Sequence, residues 1–366
     1  MYSISVSLLP LLDSSQCYFM YTGLLELAEA GEVEARWEAG WDVFDYTVVA
    51  EIERASDGER RRVCFDIHDR GYCFSERELR ASDVYYKRSY DAGEVAKLEP
   101  EHRRKVAPFG PIFGPGNRSG NARLVAGWLA YAGRRPRKAK ESLWHLRDYL
   151  RLPVTGDFER GPGEGLPRRV LFQTRLWTEA EVTGAPYAPE INEERAGVAR
   201  ALRKELGDRF VGGALPTPYA REHYPDLVCE WDTRRSAYLK TIKECRIGVY
   251  TKGLHNATAW KLGEYAAASL CIVSSGFHYA FPEPFTEPLN YLGFKTPEEC
   301  VAHCARLLEN DEEARAMGSA NFDYYRRVIH PATQMRRLIE QAFARTGGGG
   351  LLDEARLTAE KYAGAC

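Results

Sequence analysis

The stretch "HNATAWKLGEYAAASLCIVSSG", residues 255–276, decides how the second half of the chain is read. It runs from a polar loop into a helix of small residues and then into a short apolar strand. Lys261 and Glu264 stand one turn apart near the helix start, and Ala266, Ala267 and Ala268 close it. Small side chains let a helix lie close to its neighbour, while the charged pair equips the end that meets the loop. Working outward, "RIGVYTKG" (246–253) and "RFVGGAL" (209–215) read as strands, as does "RVLFQTRLW" (169–177). Between them "NEERAGVARALRKELGD" (192–208) and "TRRSAYLKTIKEC" (233–245) have helical spacing. Strands alternating with helices of this length predict parallel β-α-β units.

Bulk properties agree with a two-domain globular protein. A chain of 366 residues exceeds one ordinary core. With 44% hydrophobic and 28% charged residues it is neither disordered nor membrane-embedded. Its apolar runs are too short to span a bilayer. "MYSISVSLLPLL" at the start lacks a basic leader and reads as a first buried strand, so a cytoplasmic location is expected. A net charge of −2 selects no polyanionic partner. The nine cysteines form no C-x-x-C pair and read as reduced thiols.

In the first half, "SISVSLLP", "RRVCFDIHD" and "SDVYYKRSY" read as strands, and "YTGLLELAEAGEVEARW" as a helix running into a strand. "APFGPIFGPGNRSGN" (107–121) is punctuated as a loop, followed by a helical stretch broken at Pro136. The expected organisation is a first domain over 1–152, a Gly/Pro-rich linker over 153–168, a second domain over 169–330, a last helix over 331–346 and a flexible tail over 347–366.

The segment from Arg169 to about Arg345 resembles the nucleotide-sugar-binding domain of GT-B glycosyltransferases, in particular the retaining group with an E-x7-E motif. "VYTKG", "WKLGEYAAAS", "LCIVSS" and "EPLNYLGFKTPEECVAHCARLL" carry the resemblance, and "YYRRVIHPATQMRRLIEQAF" matches the family's kinked last helix. It implies two Rossmann-like α/β domains facing across a cleft, an acceptor domain over 1–152 and a nucleotide-sugar-binding domain over 169–330, with the helix over 331–346 returning to the first. It also implies a sugar moved from a nucleoside-diphosphate donor, such as a UDP- or GDP-sugar, to an acceptor hydroxyl, with retention and without a metal. The motif's first glutamate would fall at position 256, which is Asn256; only Glu264 is kept.

The chemistry explains the residue types. A departing diphosphate needs positive charge, which a helix N-terminus, a lysine and an arginine supply. Lys261 and Arg175 are the expected cationic catalytic residues. The loop Gly253, His255, Asn256, Ala257 and Thr258 would cradle the donor, and Glu264 would accept the ribose hydroxyls. Trp231, after "DLVCEW", offers the base a stacking face. In the first half, "CFDIHDRGYCF" places Asp66, His68 and Asp69 at a strand end. His68 is expected to donate to a sugar hydroxyl, and Asp69 to act as base if the reaction inverts. No Asp-x-Asp pair is present, so no metal and no cofactor is expected. The acceptor is open: a glycan, a small molecule, or a modified DNA base, the last kept in view by the basic run Arg134–Lys140. A non-catalytic nucleotide-sugar-binding protein is the alternative of another class, and a phosphorylase or epimerase on the same scaffold is a third.

Overall fold

Two α/β sheets organise the chain, each with its own core. The computed structural model describes residues 1–7, 14–38, 46–118, 122–134, 136–163, 168–182 and 188–344; the expected tail 347–366 lies outside them. The chain divides into two units, one formed by 1–155, 279–284 and 327 onward, the other by 156–278 and 285–326.

The first unit holds six strands: β1 (Tyr2–Ser7), β2 (Val33–Glu38), β3 (Thr47–Arg54), β4 (Arg60–Asp66), β5 (Val84–Lys87) and β6 (Val106–Pro108), in the order β2-β1-β3-β4-β5-β6. The sheet is mixed. β1 and β2 run parallel, as do β4, β5 and β6, but β3 is antiparallel to both of its neighbours. A hairpin accounts for this, with β3 and β4 joined through Asp57-Gly58, where Gly58 takes φ 73. The loop spans 55–59 and carries Gly58 in the left-handed region, its N–H donating to the Arg54 carbonyl at 2.9 Å.

The last helix, Pro331–Ala344, belongs to this first unit and packs on the helix Tyr18–Glu29. The approach is close: a Cβ on Gly23 would come within 2.4 Å of the Pro331 carbonyl oxygen and 2.7 Å of Met335 Cγ. Tyr86 donates to the Leu338 carbonyl at 2.7 Å, and Gln334 to the Pro111 carbonyl at 3.0 Å. A kink of π-helix over Tyr325–Ile329 redirects the chain into it. The return of the terminal helix to the first domain is thus present, as expected.

The second unit carries β7 (Val170–Thr174), β8 (Phe210–Ala214), β9 (Ile247–Tyr250), β10 (Cys271–Ser274) and β11 (Leu292–Gly293), ordered β11-β10-β9-β7-β8. Every pairing is parallel. Its core joins Val170, Phe172, Ile247, Val249, Cys271 and Val273 from the strands to Val198 and Leu202 of the helix Ala188–Leu206 and Cys300, Cys304 and Leu307 of the helix Pro297–Glu309. The short helix Lys261–Ala267 packs against β9 through Tyr265, whose ring lies over Gly248; a Cβ there would sit 2.5 Å from the ring. Close helix–sheet packing therefore depends on a glycine in the strand as well as on the alanines of the helix. Arg160, inside the expected linker, is tied to this unit by donating to the Lys243 and Cys245 carbonyls at 2.6 and 2.8 Å.

Candidate functional site

Strand order alone places a topological switch point in the second unit. β8 lies on one side of β7, and β9, β10 and β11 lie on the other, so the connection reverses direction between β7 and β9. In a parallel sheet the loops leaving the two strands diverge at such a point, and ligands bind beyond the carboxyl ends. The loops are 175–178 after β7 and 251–258 after β9, which contain the expected Arg175 and the expected Gly253–Thr258 cradle.

A residue that sequence reasoning missed holds these two loops together. Arg195, in the middle of the helix Ala188–Leu206, is buried, and its guanidinium donates to the Arg175 carbonyl at 2.6 Å, the Lys252 carbonyl at 3.0 Å and Thr251 Oγ1 at 3.3 Å. Burial pulls its pKa down to about 10, still well above neutrality. In sequence it reads as one arginine on the polar face of an amphipathic helix. Its burial follows from the helix crossing the switch point.

Lys261 opens its helix at the same edge. It is partly shielded from water, and its pKa falls to about 8, first through desolvation and then through the neighbouring Arg195, with Glu264 and Cys229 opposing. Two cations therefore lie near each other at the carboxyl edge, and among the described residues neither forms an ion pair. The loop preceding the helix is tightly wound. His255 and Asn256 take positive φ values of 56 and 58, and Gly253 donates to the Ala257 carbonyl at 3.0 Å. A Cβ on Gly253 would meet that same carbonyl at 2.9 Å, so the glycine serves the closure of the loop. Ala257 is buried; His255, Asn256 and Thr258 are half-buried. Ala259 and Trp260 separate the loop from the helix, so Lys261, not the loop, occupies the first helical position.

Glu264 is engaged inside the unit. Its side chain is 3% exposed, its Oε1 lies 2.9 Å from Arg235 Nη2, and its Oε2 accepts from the Tyr238 hydroxyl at 2.9 Å. Arg235 and Tyr238 lie on the helix Arg235–Lys243, so the carboxylate ties two helices of the site together. Its ion-pair partner is Arg235, not the Lys261 one turn away. Arg175 projects outward, pairing with Glu181 at 2.5 Å and stacking on Trp177 at 4.3 Å. Trp231 is half-buried two residues beyond Cys229, which extends the sheet by donating to the Ala214 carbonyl at 2.8 Å.

In the first unit, Asp66 ends β4 buried. Its Oδ2 accepts from Lys87 Nζ at 2.9 Å and the Tyr85 hydroxyl at 2.5 Å, and its Oδ1 from the His68 backbone N–H at 2.8 Å. Lys87 is fully buried and also donates to the Cys73 carbonyl at 2.7 Å. His68 Nδ1 accepts from the Arg70 N–H at 3.2 Å. That bond places the neutral ring's proton on Nε2. Desolvation lowers the His68 pKa, which favours this neutral form. Asp69 is taken by Arg88 at 2.7 Å. Asn117 is buried beside Gly116, whose Cβ would meet Leu152 Cβ at 2.9 Å. Ser119, Gly120 and Asn121 of that loop lie outside the described residues.

Against known proteins, residues 195–342 match a family model described as "Glycosyl transferase-like". The match begins at Arg195 and runs through the 251–264 region into the returning helix. No curated protein matches the chain. Among solved structures, the C-terminal domain of a group 1 glycosyl transferase family protein from Francisella tularensis is 12% identical, covering 46% of this chain and 94% of its own (TM-score 0.32). The Anabaena protein HepE in complex with UDP is 11% identical over 73% of this chain and 80% of its own (TM-score 0.36). A UDP-GlcNAc 2-epimerase from Neisseria meningitidis bound to UDP-GlcNAc is 11% identical over 76% and 69% (TM-score 0.36).

Proposed function

We propose that this glycosyl transferase-like chain moves a sugar from a nucleoside-diphosphate donor to an acceptor hydroxyl, binding the diphosphate at the carboxyl edge of β7 and β9. The observation that carries the reading is the pair Arg195 and Lys261. Two neighbouring cations, one buried and one partly desolvated, are disfavoured until an anion joins them. A diphosphate supplies that anion, and its charge grows as the glycosidic bond breaks, so the stabilisation is largest in the transition state.

Roles follow from placement. Lys261 takes the phosphate directly, while Arg195 supports the site by holding the Arg175 and Lys252 carbonyls. Arg175 joins by exchanging the Glu181 carboxylate for a phosphate oxygen. Asn256 and the rest of the Gly253–Thr258 loop meet the sugar, and Trp231 stacks on the base. Glu264 has two tasks, anchoring Arg235 and Tyr238 and accepting ribose hydroxyls on its remaining lone pairs. His68, neutral and protonated on Nε2, donates to a sugar hydroxyl. Arg88 occupies Asp69, so the general-base role suits it less, in keeping with a retaining course. The cations replace the metal that other transferases use, which makes the proposed reaction metal-independent.

The test is incubation of the protein with a panel of UDP- and GDP-sugars, in EDTA and in Mn²⁺, reading nucleoside diphosphate release. Release in EDTA that is abolished in Lys261→Met supports the reading. Absence of any UDP or GDP binding by calorimetry would overturn it.

A further inference from the structure

The first unit carries a surface that the transferase reading does not use. The helices Ala122–Arg134 and Ala139–Leu150 pack on each other, joined through the turn Pro136–Lys138. Inward, Leu124, Trp128, Tyr131, Leu146 and Tyr149 are buried. Outward, the second helix presents Lys140, Leu143, Trp144, Arg147 and Leu150, with Arg151 following; all are exposed, and the spacing is that of one helical face. Trp144 is 58% exposed and Leu143 46%, and Leu129 on the first helix is 52% exposed. Among the described residues few large apolar side chains are so uncovered, and this helical pair holds four of them, counting Leu150.

Charge gathers at the same place, where Arg134, Arg137, Lys140, Arg147 and Arg151 are exposed. Residues 122–151 contain eight Arg and Lys against two Asp and Glu, in a chain whose net charge is −2. The remainder is therefore acidic, and the basic character is local. Exposed tryptophan and leucine set among arginines and lysines is the composition of a helix lying in a membrane interface, where the apolar side chains enter the acyl boundary and the cations meet lipid phosphates. A nucleic-acid face needs the cations but gains nothing from exposed leucines. No helix among the described residues is long and apolar enough to cross a membrane.

We propose that this helical pair docks the protein on the surface of an anionic lipid bilayer. Docking is peripheral and needs both components, since one short amphipathic face binds weakly without charge attraction. Each basic residue near an anionic surface multiplies the association constant about five-fold.

The experiment uses the full chain with sucrose-loaded vesicles of phosphatidylcholine alone, the same lipid with 30% phosphatidylglycerol (about the anionic content that gives a useful surface potential), and a DNA duplex in a parallel binding assay. Sedimentation with the phosphatidylglycerol vesicles only is expected, with release at high salt. Leu143→Ser/Trp144→Ser and Lys140→Glu/Arg147→Glu should each weaken vesicle binding about ten-fold or more. These side chains are exposed, and thermal melts and nucleoside diphosphate binding, unchanged in both variants, would show that the fold is intact. Failure of the parent to bind the anionic vesicles would overturn the proposal, as would vesicle binding that survives both substitutions. Tight DNA binding that depends on Lys140 and Arg147 but not on Leu143 and Trp144, without vesicle binding, would reassign the face to nucleic acid.

Discussion

On the proposed reading, the lowered pKa of Lys261 makes donor binding a proton-linked event. With a pKa of about 8 in the free protein, Lys261 is ~90% charged at pH 7 and ~10% charged at pH 9. If the diphosphate binds the ammonium form, affinity for UDP or GDP should fall about ten-fold between pH 7 and 9, roughly 1.4 kcal/mol. The other groups of the site stay in one state across that window. Arg195 titrates near 10, burial raises the Cys229 thiol to about 11, and the nucleotide is fully ionised above pH 7. Calorimetry in two buffers of different ionisation enthalpy should show uptake of about half a proton at pH 8 and close to one at pH 9. Lys261→Met should bind weakly and without this pH dependence. The same residue acts oppositely on stability. Its folded pKa lies below the unfolded value near 10.4, so between pH 8 and 10.4 the unfolded state holds more protons and stability rises with pH. Below pH 8 the full penalty applies, and Lys261→Met should stabilise the free protein at pH 7 by on the order of 1–2 kcal/mol, allowing for the water that still reaches the side chain. Flat affinity from pH 7 to 9 in the parent, or an unchanged slope in Lys261→Met, would refute the assignment.

Other substitutions separate binding from architecture. Glu264→Gln should cost about 1–3 kcal/mol in urea unfolding, because Arg235 loses its counter-charge; it should also weaken UDP binding while leaving inorganic diphosphate binding nearly intact, and equal losses for both ligands would remove the ribose role. Arg195→Met deletes three hydrogen bonds at the ends of β7 and β9 and should lower stability by about 2–4 kcal/mol, opposite in sign to Lys261→Met, while also reducing nucleoside diphosphate release; Arg195→Lys should recover part of the melt but little turnover, since an ammonium cannot span the three acceptors. Gly23→Ala drives a methyl into the Pro331 carbonyl and should cost about 1–3 kcal/mol, read as a lower midpoint in thermal unfolding; a neutral result would show that the last helix is not held against Tyr18–Glu29.

What the sequence determined is local and periodic. Alternating apolar strands and amphipathic helices after residue 169 specify parallel β-α-β units, because side-chain spacing alone selects which face each element buries. The loop and helix start at 253–264 were legible for the same reason, since glycine, charge and small residues sit next to one another in the chain. β3 was also within reach: "TVVAEIER" alternates, and Asp57-Gly58 marks the hairpin that makes the first sheet mixed. Partners distant in the chain were not legible. Arg195 looks like a solvated helix residue until the sheet order brings the ends of β7 and β9 beneath it. Glu264 looks paired with Lys261 until the helix Arg235–Lys243 delivers Arg235 and Tyr238 to its carboxylate. Tertiary structure decides these because a charge's state depends on what surrounds it in space, and burial, the largest influence on Lys261, leaves no mark on the residues adjacent to it in sequence.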